Sequence, residues 1–88
     1  MAEYSITFAR SARKELEALP QNTAARILAR IETLSVNPSP SGVVKLHGQK
    51  DLWRLRVGDY RIIYKIYDSE ETLDVSVIRH RRDVYRNF

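Results

Sequence analysis

Residues 53–65 read WRLRVGDYRIIYK, and this stretch constrains the fold more than any other. Apolar and polar residues alternate on both sides of Gly58-Asp59, the period of a half-buried strand. A Gly-first pair suits a two-residue type II′ turn, whose first central residue takes a positive φ. The strands Leu52–Val57 and Tyr60–Tyr67 are therefore expected to be antiparallel neighbours. A two-residue turn also sets the register. It pairs Val57 with Tyr60, Leu55 with Ile62, and Trp53 with Tyr64. Those six residues and Ile66 share an apolar face that must be covered. The opposite face takes Arg54, Arg56, Arg61, Ile63 and Lys65, with Arg56 directly across from Arg61. Like charges facing each other across strands are destabilising, so three guanidiniums gathered there require an offset.

The flanking segments supply the cover. Tyr4, Ile6 and Phe8 alternate with Ser5 and Thr7 as a strand. In ARSARKELEALP, Ser11 is a candidate helix cap, and Ala12, Leu16 and Leu19 recur at helical spacing. Pro20 ends that helix and helps start the next. There Ala24, Ile27, Leu28, Ile31 and Leu34 form one stripe, stopping near Asn37. NPSPSG reads as a loop. A short strand with Val43, Val44 and Leu46 precedes the hairpin, and TLDVSVIR follows it. Pairing Ile66 with Leu73 puts Val75 and Val77 on the core face. It also sets Lys65 against Asp74 and Ile78 against Arg61. The order is β-αα-ββββ. The fold class is α+β: a twisted, mainly antiparallel sheet with an αα-hairpin packed on one face. The 88 residues are expected to form a single domain spanning 1–88.

Composition narrows the function classes. No Cys is present, which excludes disulfides, thiolate zinc sites and Cys nucleophiles and agrees with a cytoplasmic location. MAEYSITFAR lacks the charge pattern of a signal peptide. No apolar run approaches the roughly 18–20 residues that span a bilayer, so no membrane association is expected. The net charge of +4 is uneven: up to Val44 there are five basic and four acidic residues, and from Lys45 onward ten and seven. Such a balance attracts polyanions. P-loop, dinucleotide-turn and Ser/His/Asp patterns are all missing. His47 and His80, with no clustered carboxylates, make no metal site. Neither metal nor cofactor is expected.

The candidate site is the basic end of the outer face. Arg79, Arg81 and Arg82 approach it from the end of the last strand. A solvated strand face often carries a single Arg whose stem covers apolar surface. Three that converge with no carboxylate opposite point instead to a bound phosphate chain, because guanidinium forks match phosphate oxygens bidentately. Tyr85 and His80 stand among these arginines as candidates for stacking or proton transfer.

The pattern KLHG, LWRLRVGDYRIIYKI and IRHRRDVYR resembles the RelE toxins of bacterial and archaeal toxin–antitoxin systems, in the RelE/ParE superfamily. The resemblance covers the whole chain and is most specific from Arg54 to Tyr64. It implies a metal-independent ribonuclease that enters the ribosomal A site and cleaves the mRNA codon there. The 2′-hydroxyl attacks the adjacent phosphate, leaving a 2′,3′-cyclic phosphate and a 5′-hydroxyl. Implied partners are the ribosome, with its mRNA and ribosomal RNA, and a RelB-like antitoxin that blocks the basic face. Operator DNA is implied only indirectly, through the antitoxin.

The family's catalytic Arg on the GYR-type strand matches Arg61, and its C-terminal Arg matches Arg81, for which Arg79 or Arg82 could substitute. The family's C-terminal Tyr matches Tyr85, and Lys45 in KLHG sits where a basic residue is frequent. The best-known members carry two Lys on the strand before the GYR strand; here Arg54 and Arg56 stand instead. An Arg can bind phosphate and stabilise a pentacoordinate transition state but effectively cannot give up its proton. Tyr85 and His80 are therefore the candidate general bases, or positioning alone supplies the rate. Two alternatives share the scaffold: a ParE-like gyrase poison, and a weakly active co-repressor that mainly binds antitoxin. The HRRDVYR segment favours the RelE reading.

Overall fold

The computed structural model describes residues 3–40, 42–46, 48 and 51–82. Tyr85, His47 and the tail beyond Arg82 lie outside the described residues. The elements run β1 (Ser5–Phe8), α1 (Arg10–Glu17), α2 (Gln21–Thr33), β2 (Val44–Lys45), β3 (Leu52–Val57), β4 (Tyr60–Tyr67) and β5 (Thr72–His80). They form one five-stranded sheet in the order β1-β5-β4-β3-β2. All neighbours are antiparallel except β1 and β5, which are parallel. The two longest strands, β4 and β5, are thus interior, and short strands form both edges, which limits the template for further pairing.

The hairpin has the expected register, with Val57 against Tyr60, Leu55 against Ile62, Trp53 against Tyr64 and Arg56 against Arg61. Gly58 takes φ +58, the conformation that favours Gly at the first position of a II′ turn. Lys65 lies against Asp74, and Ile66 against Leu73. The helices cover one face. Ala12, Ile27, Ile31 and Leu34 pack there with Leu55, Ile62, Tyr64, Leu73, Val75 and Ile78, each at most 2% exposed. The Tyr64 hydroxyl satisfies itself by donating to the Pro38 carbonyl at 2.7 Å, and burial pushes its pKa up to about 12.

Three details depart from the sequence reading. Ser11 does not cap α1. The N-cap position is Ala9, whose N–H donates to Val75 at 2.8 Å, so sheet pairing continues to the first residue before the helix. Leu28 leaves the buried stripe and is 36% exposed, because the stripe that meets the sheet is narrowed to Ile27, Ile31 and Leu34. Most consequential is a shift in β5. Tyr64 pairs with Val75 while Ile63 pairs with Val77, which leaves Ser76 as an extra residue. A bulge of this kind breaks the two-residue alternation. Val77 therefore lies against Ile63 on the outer face, and Ile78, opposite Ile62, joins the core in its place.

Candidate functional site

The outer face is built of cross-strand rows. One row runs Leu52, Lys65, Asp74 and Thr7, closed by a Thr7 hydroxyl donating to Asp74 at 2.6 Å. The next runs Val44, Arg54, Ile63 and Val77. The last, nearest the hairpin turn, is Arg56, Arg61 and Arg79 on three adjacent strands. Arg79, not Ile78, lies opposite Arg61, as a direct result of the Ser76 bulge. The bulge thus creates the row: without it, alternation would turn Arg79 towards the helices.

The three arginines have different surroundings. Arg61 is 9% exposed, and its Nη1 donates to the Gly58 and Tyr60 carbonyls, both at 3.2 Å. It therefore braces the turn as well as charging the face. Arg56 is exposed and has no ion-pair partner among the described residues. Arg79 is held by Glu15 of α1, through Nε at 2.6 Å. This carboxylate is the one the sequence reading did not find, since it comes from a helix more than sixty positions away.

Arg81 follows β5 beside the turn. Its N–H donates to the Asp59 carbonyl at 2.7 Å, and its Nε lies 4.0 Å from the Asp59 carboxylate, both side chains being more than half exposed. Arg82 is exposed, and its N–H donates to His80 Nδ1 at 3.2 Å. In its neutral form His80 then carries its proton on Nε2. Its ring meets Tyr60 edge-on at 5.6 Å, and Tyr60 packs against the core cluster. Register places Lys45 beside Trp53 on that helix-bearing face as well, with Nζ 5.8 Å from the indole centroid. The fold thus brings Arg56, Arg61 and Arg79 into one row, with Arg54 in the adjacent row and Arg81 near the turn. It does not bring His80 or Lys45 to that face.

This arrangement can hold several phosphate oxygens at once. Two strand spacings of about 4.8 Å make the row about 10 Å long, with the exposed Arg56 at one end, the nearly buried Arg61 in the middle and the Glu15-held Arg79 at the other end. Among the described residues, the carboxylates beside it are those of Glu15, on Arg79, and Asp59, near Arg81.

Comparisons with known proteins agree with this architecture. Residues 6–85 match the family described as ParE toxin of type II toxin-antitoxin system, parDE. RelE1 of Methanocaldococcus jannaschii is 25% identical over 88 residues, covering 97% of this chain and 98% of that protein. Toxin RelG of Mycobacterium tuberculosis is 30% identical over 84 residues, covering 94% of this chain and 97% of that protein. The archaeal RelE–RelB complex from Pyrococcus horikoshii contains a chain of the same fold, with a TM-score of 0.80 and 30% identity. That match covers 90% of this chain and 96% of the other. The helical hairpin, the five-stranded sheet and these likenesses together make this chain a member of the RelE/ParE superfamily of type II toxin–antitoxin toxins.

Proposed function

We propose that this toxin is a ribosome-dependent endoribonuclease that cleaves mRNA in the A site and is neutralised by a RelB-like antitoxin. The observation that supports this reading most is the Arg56–Arg61–Arg79 row, with Arg54 beside it and Arg81 near its end. In the proposed reaction the RNA 2′-hydroxyl attacks the adjacent phosphorus, and the bond from phosphorus to the 5′-oxygen breaks. The 2′-hydroxyl proton leaves as the new bond forms, and the departing 5′-oxygen gains one. Arg54, Arg56, Arg79 and Arg82 bind backbone phosphates. Arg61 and Arg81 face the charge that grows on the equatorial oxygens, where fixed donors contribute most.

Proton transfer is assigned by elimination. The guanidiniums keep their protons. His80 has its Nδ1 taken by the Arg82 N–H and its ring on Tyr60, which suits a donor at Nε2 better than a base. Tyr85 is the remaining candidate base; otherwise alignment of the 2′-oxygen supplies the rate. The antitoxin reading draws support from the Pyrococcus horikoshii structure, which is a RelE–RelB complex.

Arg81→Ala is the cleanest test, because its side chain is 57% exposed and does not brace the turn as Arg61 does. Induction followed by mapping of mRNA 5′ ends against ribosome position should give in-frame cuts with wild type. Arg81→Ala should lower cutting by about 100-fold and relieve growth arrest. Undiminished arrest in that variant refutes the assignment. The matched family is described as ParE, which favours a second reading, a gyrase poison acting by protein binding. Gyrase-linked DNA breaks without mRNA cuts would establish that reading instead.

A further inference from the structure

The parallel strand β1 covers β5 only from Thr72 to Val75. Beyond Val75 the chain of β1 turns into α1, which packs along β5. Glu15 of α1 reaches this stretch with both carboxylate oxygens in use. Oε1 accepts the Ile78 N–H at 3.2 Å, and Oε2 accepts Arg79 Nε at 2.6 Å. Both side chains are 26% exposed, so the pair is partly shielded from water and more persistent than a free surface pair. The contact falls just after the Ser76 bulge, where the strand has turned Arg79 onto the arginine row.

We infer that Glu15 is the positioning residue of the basic face: it holds Arg79 in register with Arg61 and Arg56 as a ligand for the RNA backbone. This rests on the endoribonuclease reading above. The chemistry of the contact supports the role. Glu15 takes the Nε edge of the guanidinium, so the terminal nitrogens carry the remaining donors, which are the ones able to reach a phosphate. The carboxylate also offsets charge in a row of three cations. An unheld Arg79 would turn away from Arg61, since like charges repel. One carboxylate therefore satisfies a strand N–H, fixes the bulged segment and aims a cation.

A positioning role and a merely structural one separate once Arg79 is removed. Removing Glu15 loosens Arg79 but also deletes a negative charge beside the row, and the second effect offsets the first, so affinity for RNA should not fall. The experiment compares Glu15→Ala, Arg79→Ala and the double variant in two assays, cleavage of mRNA on programmed ribosomes and binding of a short single-stranded RNA across a salt series. Glu15→Ala should slow cleavage by about 10- to 100-fold, with RNA affinity equal to or above wild type. Arg79→Ala should reduce the slope of log K against log salt by about 0.7, one phosphate contact on a single strand. The double variant should cleave no more slowly than Arg79→Ala. Glu15→Gln keeps an acceptor for the Ile78 N–H and serves if Glu15→Ala does not fold; it should show the same pattern, more weakly. Wild-type cleavage by Glu15→Ala, or by Glu15→Gln where that serves, overturns the inference. So does an equally large effect of Glu15 removal in the Arg79→Ala background, which would assign Glu15 to the strand backbone alone. Failure of the wild-type chain to cleave at all removes the endoribonuclease reading, and this role with it.

Discussion

If the arginine row exists to hold phosphate, removing its most exposed member should stabilise the empty protein. Arg56 is the member to change. It lies directly across from Arg61, is exposed, and has no ion-pair partner among the described residues. Two unit charges about 7 Å apart in water repel by roughly 0.6 kcal/mol. Screening leaves about half of that at 0.1 M salt and most of it at 0.01 M. Arg61 points Nη1 at two carbonyls, which offsets part of its charge, so about 0.3–0.5 kcal/mol is expected at low salt. Substituting Thr keeps a residue suited to strands. Arg56→Thr should therefore raise the melting temperature by about 1–4 °C at low ionic strength, on the scaling for domains of this size. The gain should vanish near 0.5 M salt, where the Debye length falls below the charge separation. Thermal unfolding followed by circular dichroism at both ionic strengths reads this directly. A loss of stability at low salt, or a gain indifferent to salt, would refute the argument that the row is held against repulsion.

Two further predictions address the fold. Ile78→Ala should cost about 2–5 kcal/mol in urea unfolding, since Ile78 is 2% exposed, while Val77→Ala on the outer face should cost about 1 kcal/mol or less; the reverse order would mean that β5 has no bulge. Tyr64 links stability to alkaline pH. Its pKa is raised from 10.0 to about 12 by burial, so the folded state holds this proton where the unfolded state has lost it. The resulting contribution, roughly 2–3 kcal/mol, is complete below pH 10 and is lost as pH rises through about 12. Urea unfolding from pH 8 upward should show this decline in wild type and a shallower one in Tyr64→Phe. Equal slopes would show that the phenol does not carry it.

Much of the site was legible because its determinants are local. A two-residue turn and strict alternation set Arg56 against Arg61 without reference to the rest of the chain. The same logic located Lys65 opposite Asp74 from the next turn. It failed within β5 at Ser76, where alternation breaks: a bulge has no composition of its own, so a period of two read along the strand passes over it. The candidate cap Ser11 was misplaced for a related reason. The Ala9 N–H donates to the Val75 carbonyl, so sheet hydrogen bonding continues to the start of the helix, and no local pattern reports a partner so far along the chain.

The sequence by itself determined the element order, the hairpin register, the apolar face and the presence of a basic face, since periods of two and near four depend only on neighbouring residues. Only the tertiary structure decided which arginines share a row and which groups are turned away. It set β1 parallel to β5, brought Glu15 to Arg79, and placed His80 and Lys45 on the helix-bearing side. Those choices follow from the bulge and from packing across long separations. There the free energy of closing a contact depends on every element between its two ends.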